Sequence, residues 1–176
     1  MRKIRNFFLY LMLFVGALMF FTPKVQLYYA LEKELKEYGV IVSSEKVDDT
    51  GLRLSIFGAD LYVQGILSAH IQEVNVGLFG LYNSVSIKSI ELAKTFRAMV
   101  PTKIEHAELT YSIISPLKVQ VAAEGDFGEI RGYVDVVERL VHIELTASKL
   151  MKRRYSRSLK QFKKLETGGL EYESRF

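Results

Sequence analysis

Residues Phe7 to Phe21 read FFLYLMLFVGALMFF, fifteen positions without a charge. Arg2, Lys3 and Arg5 stand before the run, and Thr22, Pro23 and Lys24 follow it. A membrane helix needs roughly 20 apolar residues, with about 17 as the lower limit. Asn6 to Thr22 reaches that limit. The run therefore reads as an uncleaved single-pass anchor, with Phe7, Leu11, Phe14, Leu18 and Phe21 as anchoring side chains. A cleavable signal peptide is the competing reading, and Val15-Gly16-Ala17 satisfies its small-residue rule. Against it, LMFF carries the apolar run through the cut. A buried core helix is the third alternative.

The rule that Lys and Arg collect on the cytoplasmic side orients the span. Three basic residues lie within the first five, whereas Lys24 and Lys33 are the nearest beyond it, and Lys33 is flanked by Glu32 and Glu34. The expected layout is a cytoplasmic tail (1–6), a transmembrane helix (7–22), a stalk helix (23–39) and an external domain (40–176). In a two-membrane bacterium that domain is periplasmic and the span lies in the inner membrane.

The stalk is expected to begin at Thr22-Pro23, with Thr as N-cap and Pro at the first helical position. It should end at Gly39 in a left-handed cap. Tyr28, Leu31, Leu35 and Tyr38 repeat at spacings of three and four, which marks one apolar face. That face either packs on the chain's own domain or meets a partner or a second copy.

From Val40 to about Ser148 the period becomes two. Leu52, Leu54 and Ile56 alternate with polar residues, as do Val74, Val76 and Leu78. Leu117, Val119, Val121 and Ala123, then Val141, Ile143 and Leu145, repeat the pattern. Such alternation is the mark of half-buried strands. Turns are expected at 48–51, Phe57-Gly58, 80–83, Ser115-Pro116 and Gly125-Asp126. Eight to ten strands with short connections imply an antiparallel meander. The expected fold is mainly β with flanking helices: membrane helix and stalk, a curled sheet or gutter, a C-terminal basic helix and a last short strand. One face of such a sheet is apolar and needs cover from a fold-over, a helix, lipid or a partner.

Residues 149–164, KLMKRRYSRSLKQFKK, hold eight basic residues and no acid. They read as a helix capped by Ser148, with Leu150, Tyr155, Leu159 and Phe162 as its apolar stripe and Gly168-Gly169 as its stop. Without this segment and the three basic residues at the start, 13 basic side chains face 20 acidic ones, a net of −7. Lys152, Arg153, Arg154, Arg157 and Lys160 are the candidates for contact with an acidic partner surface or with lipid head groups. A plain solvated helix face is the alternative.

No catalytic signature is present. His70, His106 and His142 have no second ligand type at metal spacing, and HExxH, GxxxxGK[ST], GxGxxG and GxSxG are absent. The acidic turns Asp48-Asp49 and Glu124/Asp126 suit backbone hydrogen bonding. With no cysteine, there is no disulfide, thiolate metal site or cysteine nucleophile. The expectation is a protein that is not an enzyme, with no catalytic residues, no cofactor and no metal. Nucleic acid is not expected as a partner, because no aromatic–basic stacking pattern supports it.

Two stretches carry a family likeness. Residues 69–92, AHIQEVNVGLFGLYNSVSIKSIEL, resemble a paired-strand unit reversed by a Leu-Phe-Gly-Leu turn. Residues 125–150, GDFGEIRGYVDVVERLVHIELTASKL, are similar to a C-terminal pattern of a G-x-I-x-G strand, an alternating strand and a Ser-capped helix. Together with the N-terminal layout, they resemble the type II secretion system protein N family and the wider AsmA-like envelope proteins. The resemblance implies inner-membrane attachment and a non-catalytic role in secretion or envelope assembly.

Two functions are thus expected in competition. The first is a scaffold subunit of a large envelope machine, such as a secretion system or flagellar motor, working through sheet edges and helix contacts with other envelope proteins, as a homo-oligomer or ring. The second is a lipid-handling module whose apolar sheet face holds acyl chains as bound lipid.

Overall fold

A computed structural model describes residues 2–165 and 169–176. Helix α1 (Arg2–Phe21) is followed after two residues by α2 (Lys24–Glu37). Strands β1 (Val40–Ser43), β2 (Lys46–Asp49), β3 (Arg53–Val63), β4 (Ile66–Leu78) and β5 (Tyr82–Leu92) come next. A 3-10 turn at Lys94–Ala98 leads into β6 (Lys103–Ser112), β7 (Lys118–Gly125), β8 (Gly128–Asp135) and β9 (Leu140–Ala147). The chain closes with α3 (Lys149–Arg154), a 3-10 turn at Ser158–Gln161, β10 (Lys163–Lys164) and β11 (Leu170–Arg175).

The eleven strands form one open antiparallel sheet, ordered β1-β3-β4-β5-β6-β7-β8-β9-β11-β10, with β2 also on β3. From β3 to β9 each strand pairs with the next in sequence, as short hairpin connections dictate. Cross-strand register aligns the apolar positions into rows. Leu54, Val76, Val85, Leu109 and Val121 are successive partners, and so are Ile56, Val74, Ile87, Ala107 and Ala123. The opposite face carries Ser55, Asn75, Ser86 and Glu108 in register, and Glu73 pairs there with Lys88 at 3.0 Å.

Phe57-Gly58, expected as a turn, lies inside β3. Gly58 adopts φ +67°, and the apolar row steps by three residues there, from Ile56 to Ala59. The neighbours follow suit, Val74 to Ile71 and Ile87 to Ile90, with Ser89 at φ +52°. One extra residue in each of the adjacent strands therefore shifts the phase of alternation while the cross-strand register is kept.

Two lids cover the ends of the apolar face. Under α2, Leu54, Ile56 and Ala59 are buried against Val25, Tyr28, Val42 and Val74. At the other end Leu145, Ala147 and Phe127 are buried with Met151 and Tyr155, and Leu159, Phe162 and Leu170 pack around them. The basic segment is not one helix. The expected helix over 149–164 stops at Arg154, because Tyr155 turns inward and its hydroxyl donates to the Arg97 carbonyl at 3.0 Å. Ser158 Oγ likewise donates to the Met99 carbonyl at 2.7 Å, pinning the segment to the β5–β6 connection. Met151, not Leu150, is the buried position of α3, and Leu150 is exposed. Ser148 caps α3 as expected, accepting from Met151 N at 3.0 Å. Gly168, one half of the expected helix stop, lies outside the described residues.

Candidate functional site

Helix α1 contains an 18-residue stretch, Ile4–Phe21, long and apolar enough to cross a membrane and wholly unburied by the rest of the chain. Phe7, Leu11, Phe14, Leu18 and Phe21 are all exposed along it. The end of this helix is tied down by side chains. Thr22 is not the N-cap of α2; its Oγ1 donates back to the Leu18 carbonyl at 2.7 Å. Lys24 is buried to 1% exposure. Its ammonium donates to the carbonyls of Met19 (3.0 Å), Thr22 (3.3 Å) and Gly51, the last in the β2–β3 turn. The cation thus satisfies backbone groups that a helix C-terminus leaves without partners, and its charge suits that end of the helix dipole. In the sequence Lys24 stands as a charge flanking the apolar run. Nothing in the residue pattern shows that the chain reverses here and encloses it.

Beyond the junction, α2 lies on the sheet over an apolar groove of about 320 Å³. Leu27, Tyr28 and Leu31 line it from the helix, and Leu54, Val74 and Val85 are among the sheet residues opposite. Its volume falls at the small end of the range of ligand pockets, and an apolar lining with few polar groups is the usual composition. Of the expected helix face, Tyr28 and Leu31 reach the groove. Leu35 is half-buried outside it, and Tyr38 is exposed. The packing face is rotated toward Lys24 and Val25, because the junction fixes the helix from its first turn. The Tyr28 hydroxyl is buried and faces the Glu45 carboxylate, just outside ideal hydrogen-bond geometry. Burial, then the Glu45 and Glu32 carboxylates, push its pKa up and hold it neutral.

The C-terminal candidates divide. Lys152 and Lys160 come together with Lys164 around a second cavity of about 540 Å³ floored by Leu159, Phe162 and Leu170. Arg153, Arg154 and Arg157 are exposed and do not line it. Because α3 starts where β9 ends, the segment sits at the edge of the sheet away from α1. Eight residues of β9 separate the two edges, about 26 Å at the usual strand rise.

One cluster was invisible to sequence spacing. Pairing of β9 with β11 sets His142 opposite Glu173, and the ligand atoms of His142, Glu171 and Glu173 lie within 4.8 Å of one another. An imidazole with two carboxylates is a set that could take a divalent cation. Its ring stacks on Tyr133 at 5.1 Å, and Nδ1 lies 3.5 Å from Glu171. His70 instead meets Asp60 at 2.7 Å on the polar face.

No protein-family model, curated protein or solved structure matches the chain.

Proposed function

We propose that this protein is a non-catalytic, AsmA-like lipid-handling module, held in a bacterial inner membrane by α1 with its sheet domain in the periplasm. The groove under α2 carries the reading: it is apolar, and it opens beside Lys24 at the end of the span. An acyl chain fits the lining, because burying its methylenes there removes apolar surface from water on both partners. Arg2, Lys3 and Arg5 support a cytoplasmic N-terminus. The resemblance of residues 69–92 and 125–150 to that family points the same way.

The test is native mass spectrometry of the full chain purified in mild detergent. About one retained lipid per chain is expected. Val74→Phe, which fills the groove from the sheet, should lose it while still melting cooperatively, a few degrees lower because added core volume and lost ligand both destabilise. A wild-type chain without lipid, or a variant that keeps it, would refute the groove as the site.

The scaffold reading keeps one observation of its own. β10 covers β11 only at Lys163–Glu171 and Lys164–Leu170, so Tyr172 to Arg175 present an open strand edge. Such an edge accepts an added strand from another envelope protein or a second copy. Exposed Arg153, Arg154 and Arg157 would then meet its acidic surface. Reversing all three to Glu should abolish a large complex while leaving the melting temperature and the lipid unchanged.

A further inference from the structure

The hairpins of the meander turn at two edges of the sheet. Four turn at the edge where α1 ends: 50–52, 79–81, 113–117 and 136–139. The first three contain no charged residue. Their side chains are nevertheless large, apolar and turned to solvent. Ile114 is 89% exposed, Val137 68% and Leu81 63%, and Leu52 and Ile113 are exposed beside them. The tips are joined laterally. Ile113 N donates to the Leu81 carbonyl, Val136 N to Leu117 and Phe176 N to Arg139, each at 3.0 Å. The second, third and fourth tips thus form a continuous rim rather than separate loops, with the first beside them. The opposite edge also exposes Ile66 and Met99, but its turns carry Gln64, Lys94, Arg97 and Asp126 as well.

The rim is level with the end of the span. The Phe20 ring lies over Gly51 on the first tip, and Met19 Cε approaches the second tip at Gly80. The 18-residue stretch Ile4–Phe21 measures about 27 Å at 1.5 Å per residue, and its fifteen uncharged residues from Phe7 measure less. The hydrocarbon layer is about 30 Å thick. A span this short draws its last turn, and the tips that touch it, into the interface. Charge agrees with that placement. Asp49 and Asp135 are used within their turns, accepting backbone N–H groups of Gly51 and of Val137 and Glu138. Arg53, Arg139 and Arg175 are exposed along the same edge and make no ion pair among the described residues, and they outnumber the one exposed carboxylate on the tips, Glu138.

We infer that this rim is a second membrane contact. Its tips seat at the headgroup level of the leaflet from which α1 emerges, with the three arginines against anionic lipid. Large exposed apolar patches flanked by polar residues are the usual mark of such surfaces, and basic residues near a bilayer attract anionic head groups. The inference rests on α1 being embedded in lipid, and it gives the groove a fixed mouth at the bilayer surface.

Because the chain has no cysteine, single-cysteine probes report cleanly. Full-length Ile114→Cys, Val137→Cys, Gln64→Cys and Leu13→Cys are each labelled with an environment-sensitive fluorophore. They are reconstituted in phosphatidylethanolamine–phosphatidylglycerol vesicles. Probes at 114 and 137 should be quenched by spin-labelled lipid several-fold more than the probe at 64, and shielded from aqueous iodide. If 114 and 137 behave like 64 while 13 is lipid-quenched, the rim contact is refuted and the anchor stands. If 13 is not lipid-quenched, the anchor itself fails. Shielding from iodide without lipid quenching assigns the rim to a protein contact instead. Quenching seen only when spin-labelled lipid is in separate vesicles assigns it to a second membrane; either result overturns the inference.

Discussion

Replacing Lys24 by Met removes a buried ammonium while keeping the length of the side chain. In the wild type that group holds three carbonyls, of Met19, Thr22 and Gly51. The Thr22 carbonyl also accepts from the Lys24 backbone N at 2.8 Å, so it keeps a partner in the variant. The other two lose their side-chain donor. Stranding a buried acceptor costs about 1–3 kcal/mol, so two give roughly 2–6 kcal/mol. Part of this returns, because the variant no longer desolvates a charge. A net loss of about 2–3 kcal/mol is expected. For a chain of this size each kcal/mol lowers the melting temperature by about 2–4 °C, which gives a fall of roughly 4–12 °C. Thermal melting of the full chain in detergent reads it, with exposed Lys33→Met as control. Hydrogen exchange should quicken in the first turn of α2 as the junction loosens. If Lys24→Met melts within a degree of wild type and exchanges no faster, the three-carbonyl clamp does not hold the domain to its anchor.

Leu13→Arg places a charge mid-span at a cost of about 2.5–3.5 kcal/mol on insertion scales, and fractionation should find less of the chain in the membrane after a high-salt wash. At Gly132 an added Cβ would run into the His142 carbonyl and stand 3.0 Å from Ile143 Cα. Gly132→Ala must therefore push β8 from β9, at about 1–3 kcal/mol, and melting should fall by several degrees. The Asp135 carboxyl is held below its ordinary pKa by the backbone N–H of Glu138 first, then those of Val137 and the nearby Lys118. A lowered folded pKa means that its stabilisation is complete above the unfolded value near 3.9 and is lost as pH falls through the folded one. Asp135→Asn should therefore flatten the acid limb of melting temperature against pH below about 4; an unchanged limb would place the acid sensitivity elsewhere.

Much of the sheet was legible because alternation is a strong local signal. Leu54 and Ile56, or Val119 and Val121, declare one face without help from the rest of the chain. Gly58 misleads because Phe-Gly usually marks a turn, and only the matching steps at Val74–Ile71 and Ile87–Ile90 show a phase shift shared by adjacent strands. The basic helix was overextended because Leu150, Tyr155, Leu159 and Phe162 hold near-helical spacing. The break comes from a contact between Tyr155 and Arg97, 58 residues apart, which no local window contains. The groove was half legible. Tyr28 and Leu31 belong to a visible helix face, but which strands lie beneath them depends on where Lys24 docks the helix.

The meander also decides the order in which this chain can become ordered. Each strand from β3 to β9 finds its partner in the segment just before it. A chain synthesised from its N-terminus can therefore zip one hairpin at a time, without waiting for distant sequence. Such local pairing keeps loop-closure costs low and folding fast. The exception is the tail. β11 must come back beside β9 after the whole basic segment has passed, and only then does Leu170 reach Leu145. Until the last residues are delivered, the edge of β9 and the floor beneath Tyr155 stay uncovered. The C-terminus acts as the latch of the fold, and a nascent chain stalled short of it presents a sticky strand edge to its neighbours.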